Sequence, residues 1–364
     1  MANLAAGIVG LPNVGKSTLF NALTRGHAAA ANYPFCTIDP NVGVVDVPDP
    51  RLAKLSEMSD STKIVPATMA FVDIAGLVKG ASQGEGLGNQ FLQHIRETQA
   101  IVHVVRCFAH PDVIHVHGQV DPIGDIETID LELGLADLQM VDNALAKVER
   151  QAKSSKEVLP LLEVLKKVRK SLDEGTPVRR QDLSPVEQEL LKPYPFLTAK
   201  PVLYACNVGE EDLPDMDNQW VRLVQQRAAE EGSRVVPFCA KIEEELAQFS
   251  PEEATEMARS LGLQGSGLDR MIKAAFEMLG LRTYLTTGEV ETRAWTIRSG
   301  DTAWEAAGKI HSDIQKGFAR AEVIAYQDFV NLGGRNGARE AGRLRAEGRD
   351  YIVQEGDIIV FLHH

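Results

Sequence analysis

Short apolar runs alternate with amphipathic stretches over the first third of the chain. Ala5-Ala6-Gly7-Ile8-Val9 is apolar and short enough for a buried strand, and Thr18-Leu19-Phe20-Asn21-Ala22-Leu23 opens like a helix. Val42 to Val47 and Thr68 to Asp73 read as the next strands, the first stopped by Pro48-Asp49-Pro50. Ala100 to Val105 is nearly continuous in apolar residues, as expected of a strand buried on both faces. From about residue 126 to 200 the period changes. Leu131, Leu135, Leu138, Val141, Leu145 and Val148 recur at spacings of three and four, as do Val158, Leu161, Leu165, Val168 and Leu172. Two helices with narrow apolar seams predict an antiparallel, coiled-coil-like hairpin. Gln151 to Lys156 connects them, and Glu174-Gly175-Thr176-Pro177 ends the second. Ser184-Pro185-Val186-Glu187 then carries an N-cap signature.

Strand patterning returns at Pro201 to Cys206 and at Arg234 to Phe238, with a helix around Trp220 to Glu230 between them. Helices follow at Pro251 to Gly262 and Leu268 to Leu279. Beyond Gly280 lie candidate strands at 291–297, 322–325 and 358–362, and a helix at 302–310. The predicted organisation is an α/β nucleotide-binding domain with a mostly parallel sheet (residues 1–125 and 201–280). A helical insert (126–200) interrupts it, and a small α+β module (281–364) follows.

The 364 residues are 44% hydrophobic and 24% charged, an ordinary globular composition long enough for two or three domains. No apolar run approaches a membrane span and no signal peptide is evident, so a cytoplasmic protein without membrane association is expected. Cys36, Cys107, Cys206 and Cys239 are widely spaced and form no C-x-x-C pair; they read as reduced thiols. A net charge of -13 argues against indiscriminate nucleic-acid binding, though a local basic patch remains open.

The chemistry begins at Gly10-Leu11-Pro12-Asn13-Val14-Gly15-Lys16-Ser17, which fits G-x-x-x-x-G-K-[ST] in the required strand–loop–helix setting. Glycines let backbone N–H groups turn towards phosphate oxygens, and the helix that includes Thr18 adds its positive end. Lys16 reaches the β- and γ-phosphates, and the Ser17 hydroxyl is a Mg²⁺ ligand. About sixty residues on, Asp73-Ile74-Ala75-Gly76 closes a predicted strand in the D-x-x-G pattern of nucleotide switches. Asp73 can hold the metal through water, and the Gly76 N–H can sense the γ-phosphate. Between the two, Thr37 is the one threonine in the 32–40 loop that can swing onto Mg²⁺. The run from Leu77 to Gly88 is too rich in glycine for a stable helix and reads as a second switch.

The residues Gly10 to Thr18, Pro34-Phe35-Cys36-Thr37 and Asp73 to Ala81 resemble the Obg-related P-loop proteins. Among these they are similar to the YchF group, the Obg-like ATPases. The resemblance covers essentially the whole chain, including the helical insert and a C-terminal TGS module, whose end Tyr351 to Asp357 matches. It implies a translation-associated ATPase that binds ribosomes, or the large subunit. The terminal His363 and His364 depart from the pattern and are assigned no role.

At the base site, GTPases carry N-K-x-D, whose acid accepts from guanine N1–H and N2–H₂. Here the residues are Asn207-Val208-Gly209-Glu210. The longer Glu210 disturbs the guanine contact. The Asn207 amide is expected at the adenine N6/N7 edge and Val208 under the ring. These residues alone imply relaxed specificity; the resemblance favours ATP over GTP. Cys239-Ala240-Lys241 resembles the final base-contacting loop.

The Gln that orients water in Ras-like GTPases is replaced by Leu77, so slow intrinsic turnover is expected. Among His94, His103 and His115, the last is the candidate for supplying the missing group, and Asn13 is a candidate for helping bind K⁺. Arg335, Arg339 and Arg343 recur every four residues, the spacing of one helix face and of an RNA-contacting patch. The reading that follows is a Mg²⁺-dependent, ribosome-binding ATPase. Two alternatives stay open: an Obg-type GTPase, and a ribosome- or protein-binding adaptor with incidental turnover.

Overall fold

Three neighbouring strands carry the sequence's most continuous apolar runs, and each is buried along its whole length: β1 (Ala5–Val9), β5 (Ala100–Cys107) and β6 (Val202–Val208). Strands buried on both faces belong to a parallel sheet covered by helices. The computed structural model describes residues 4–26, 41–74, 87–110 and 119–364. Of these, 4–26, 41–43, 70–74, 87–110 and 119–275 form one compact unit, and 44–69 with 276–364 form a second.

After β1 come α1 (Lys16–Gly26), β2 (Val42–Asp46), α2 (Pro50–Ser59), β3 (Ile64–Val65), β4 (Thr68–Asp73) and α3 (Leu87–Glu97), which leads to β5. The insert follows as α4 (Pro122–Ala152), α5 (Leu159–Asp173) and α6 (Pro185–Leu191). Beyond β6 come α7 (Gln219–Glu231), β7 (Arg234–Phe238), α8 (Ala240–Leu246), α9 (Pro251–Ser260) and α10 (Gly267–Met278).

The first unit's sheet has the order β2-β4-β1-β5-β6-β7, with β4, β1, β5, β6 and β7 mutually parallel. The register sets Ile8 beside Asp73, Val9 beside His103 and Arg106 beside Asn207. The carboxyl ends of β1, β4, β6 and β7 therefore converge on one edge, where open α/β sheets bind ligands.

The helical hairpin forms as the periodicity predicts, but its seam is shorter. Val141, Leu145 and Val148 of α4 pack with Leu162, Leu165, Val168 and Leu172 of α5. Leu131 and Leu135, expected in that seam, are exposed, whereas Ile126, Ile129 and Leu133 are buried. The first half of α4 turns its apolar face to β5 and α7 instead. There a buried ionic cluster joins insert to sheet. Arg179 donates to both oxygens of Asp130 at 2.7 Å and to Glu231 at 3.2 Å. Tyr204 donates to Glu231 at 2.6 Å. Ser184 and Glu187 form the capping box of α6.

The second unit contains β8 (Leu281–Thr287), β9 (Thr292–Arg298), α11 (Ala303–Ile310), α12 (Ser312–Lys316) and β10 (Phe318–Ala325). It ends with α13 (Tyr326–Asn331), α14 (Arg335–Glu340), β11 (Arg345–Glu347) and β12 (Asp357–His363). Its sheet has the order β11-β10-β12-β8-β9-β3. Tyr284, Ile297, Ala303, Ala307, Phe318 and Phe361 are among its core residues. The sequence division assigned all of 1–125 to the nucleotide domain. Here β3 runs parallel to β9, and Arg51 of α2 bonds Asp49, Thr283 and Glu355, so 44–69 groups with the C-terminal module. Periodicity finds such elements but carries no information about distant partners.

Candidate nucleotide site

The loop after β1 is shaped by two residues with left-handed backbones, Asn13 (φ 64°) and Gly15 (φ 95°). That conformation suits glycine at position 15, where a Cβ would also run into the Asn207 amide nitrogen. Gly10 is required for a different reason: its Cβ would lie 2.9 Å from the Val104 carbonyl oxygen on β5. Val14 is buried and anchors the loop, while Pro12, Asn13 and Ser17 are exposed and Thr18 is half-buried. α1 begins at Lys16, with the Leu19 N–H bonding the Gly15 carbonyl at 2.9 Å. Its first N–H groups thus face the loop, the arrangement that binds phosphate.

Lys16 and Asp73 form an ion pair through Nζ and Oδ1. Register explains the encounter, because Asp73 pairs with Ile8, two residues before the loop. The site therefore holds the loop's lysine against a carboxylate of a kind suited to metal. Oxygen donors from Ser17 and Asp73 match the chemistry of Mg²⁺, which takes few protein ligands and completes its octahedron with phosphate and water. Among the described residues no group of three or more His, Cys, Asp or Glu side chains forms a protein-only metal cage. Thr37, Gly76, Leu77 and His115 lie outside the described residues.

Asn207 requires a correction. Its Nδ2 donates to the Val14 carbonyl at 2.9 Å, and its Oδ1 accepts from the Ala240 N–H at 3.0 Å. The side chain is 4% exposed. It braces the phosphate loop against the loop after β7 rather than offering its amide to a base edge. Val208 needs a second correction: it is 2% exposed within β6, opposite Cys107, and presents no platform for a ring. Apolar strand residues are drawn into the sheet before they can serve a ligand.

Glu210 is exposed at the start of the turn after β6. Its Oε2 lies 2.5 Å from Lys241 Nζ, and the carboxylate holds the Lys241 ammonium above its ordinary pKa. The sequence noted Cys239-Ala240-Lys241 only as a weak resemblance; the acid four positions into the other base loop was the available signal for Lys241. The cysteines near these strand ends are not reactive thiolates. A hydrogen bond to Cys206 and burial push Cys107 up, and burial pushes Cys239 up.

His103 sits inside the sheet, 5.8 Å from the Tyr204 ring, and burial lowers its pKa to about 3. It is a neutral core residue. The arginine spacing in the second unit also reads differently in three dimensions. Helix α14 ends at Glu340, and Gly342 adopts φ 68°, so Arg343 leaves the face shared by Arg335 and Arg339. Arg335 is paired with Glu322, whereas Arg339, Arg343 and Arg349 are exposed.

Residues 5–167 match the family model MMR_HSR1, described as a 50S ribosome-binding GTPase. Residues 281–364 match YchF-GTPase_C, described as a protein of unknown function (DUF933). The chain is 52% identical over 360 residues to the ribosome-binding ATPase YchF of Bacillus subtilis, covering 98% of each chain. It is also 52% identical over 357 residues to the protein of that name from Escherichia coli O157:H7, again with 98% coverage of each. The solved YchF GTPase of Schizosaccharomyces pombe superposes with a TM-score of 0.88 at 39% identity. That match covers 100% of this chain and 98% of the other.

Proposed function

The chain belongs to the YchF family of P-loop proteins, and on that premise we propose that it is a ribosome-binding nucleoside triphosphatase that hydrolyses ATP to ADP and phosphate. One observation carries the reading: Lys16 and Asp73 meet at the mouth of a glycine-shaped loop that opens a helix. A Mg²⁺–triphosphate ligand would separate them. Lys16 would turn to the β- and γ-phosphates, with the backbone amides from Gly10 to Thr18 around the chain of phosphates. Mg²⁺ would be held by Ser17 and Thr37, with Asp73 acting through water, and would neutralise charge developing on the phosphate oxygens. The Gly76 N–H would report the γ-phosphate. Water attacks directly, with no covalent intermediate.

Leu77 in the water-orienting position and His115 as the group brought in on the ribosome complete the catalytic reading. K⁺ beside the exposed Asn13 is part of the same reading. A cytoplasmic location fits ribosome binding; among the described residues no helix is long and apolar enough to cross a membrane. An Obg-type GTPase keeps the same phosphate chemistry, and the S. pombe relative is described as a YchF GTPase. Single-turnover hydrolysis of ATP and GTP by wild type, Lys16→Ala and His115→Ala, alone and with ribosomes over a K⁺ series, tests the scheme. Retention of hydrolysis by Lys16→Ala overturns it. Ribosome stimulation that survives His115→Ala discards only the histidine.

A further inference from the structure

We propose that Lys241 sets the base preference of this site by occupying one oxygen of the Glu210 carboxylate, which weakens guanine relative to adenine. The inference rests on the placement of the nucleotide at the Lys16 loop and goes beyond it to the residue that tunes specificity.

The two base loops are held together independently of any nucleotide. The Asn207 Oδ1 bond to the Ala240 N–H fixes the end of β6 against the start of α8, 3.0 Å apart. Glu210 and Lys241 each lie a few residues from that bond and meet at 2.5 Å. Both remain accessible, at 49% and 63% side-chain exposure, so the pair faces solvent rather than the core and is open to a ligand. Asp212, two positions on, is already used: it accepts from the Gly209 N–H at 3.2 Å and from Asn218 Nδ2 at 2.8 Å. Glu210 is thus the carboxylate of this turn that carries a lysine.

Guanine offers two parallel donors, N1–H and N2–H₂, and a free carboxylate accepts both. With Oε2 also bound to an ammonium, that oxygen is a crowded and weakened acceptor, and the guanine donor facing it is held less well. Adenine makes no such demand. It presents an acceptor at N1 beside a donor at N6, which a paired ammonium and carboxylate oxygen can match in turn. A site built to accept two donors discriminates strongly, whereas one in which an oxygen is shared with an ammonium discriminates less.

Titrations of the full chain with ATP, GTP and inorganic tripolyphosphate in Mg²⁺ test the proposal. Lys241→Ala is expected to raise the GTP-to-ATP affinity ratio by about fivefold or more, the effect of one charge-assisted hydrogen bond, with tripolyphosphate binding unchanged. Lys241→Arg, which keeps the pair, is expected to retain the wild-type ratio. Adding Glu210→Gln to Lys241→Ala is expected to cancel the gain. An unchanged ratio in Lys241→Ala, or a gain that persists without the Glu210 carboxylate, overturns the role of Lys241. Failure of the wild type to bind any of the three ligands overturns the site reading itself.

Discussion

Lys16 and Asp73 are ion-paired, each with the other's charge in the place that a nucleotide and its metal would take. The lysine side chain is 11% exposed and the aspartate 21%, so neither charge is fully solvated. Partial burial makes the pairing worth more than a surface salt bridge. Opening the site therefore means trading one internal ion pair for two new ones.

That trade separates the two partners experimentally. Asp73→Asn removes the carboxylate proposed to support the metal and also releases Lys16 from its ion pair. Affinity for Mg²⁺–ATP is expected to fall by about tenfold, or 1.4 kcal/mol, while metal-free ATP binds as well as before or better. Equilibrium titration in Mg²⁺ and in EDTA checks this. An equal loss under both conditions would contradict it.

Asn207 supports a second expectation. Replacing it with Ala leaves the Val14 carbonyl and the Ala240 N–H without their partner in a buried site. Leaving two such groups unsatisfied costs about 2–6 kcal/mol of stability. Because the brace holds the phosphate loop, ATP, GTP and tripolyphosphate are all expected to bind more weakly by similar factors. A loss confined to one base would return Asn207 to the base edge.

These residues show what the sequence carried and what it did not. Phosphate binding uses backbone groups at fixed spacing, so Gly10, Gly15, Lys16 and Ser17 could be recognised from a single run. Asp73 stood at a strand end fifty-seven residues away, and a parallel register was enough to bring it in. Asn207, Val208 and Lys241 depend on which side chains the sheet buries and which loops face each other, and local pattern does not encode that. The same limit appears in Leu131 and Leu135, which keep a helical period yet stay exposed because Ile126, Ile129 and Leu133 supply a better face for the core. It appears again at Gly342, where one left-handed residue removes Arg343 from the helix face.

His103 gives a pH expectation. Burial holds its folded pKa near 3, against an ordinary value of 6.5. The folded chain keeps the imidazole neutral, while the unfolded chain takes up a proton below pH 6.5. Stability from this group is full above that value and is lost as pH falls towards 3. Between pH 7 and 5 the loss is about 2 kcal/mol. Denaturant midpoints for wild type and His103→Gln should therefore diverge in pH dependence, with the variant flatter over this interval. Parallel profiles would mean that His103 titrates normally.

The exposed arginines of the second unit bear on ribosome binding. Arg335 is held by Glu322, so its charge is largely spent within the chain. Arg339 lies on α14, Arg343 follows Gly342, and Arg349 precedes the turn into Tyr351; all are exposed. A chain with net charge -13 cannot approach RNA by its overall field, so any RNA contact would come from local clusters of this kind. Arg339→Glu with Arg343→Glu is expected to weaken co-sedimentation with ribosomes by more than about tenfold at low salt and to flatten its dependence on salt concentration. Arg335→Glu tests the internal pair instead: it places two acids together with Glu322 and should lower the stability of the second unit more than it lowers ribosome affinity. If the Arg339/Arg343 double variant sediments like wild type across the salt series, the basic cluster plays no part in the contact. Loss caused by Arg335→Glu alone, without loss of stability, would bring Arg335 into the contact despite its pairing with Glu322.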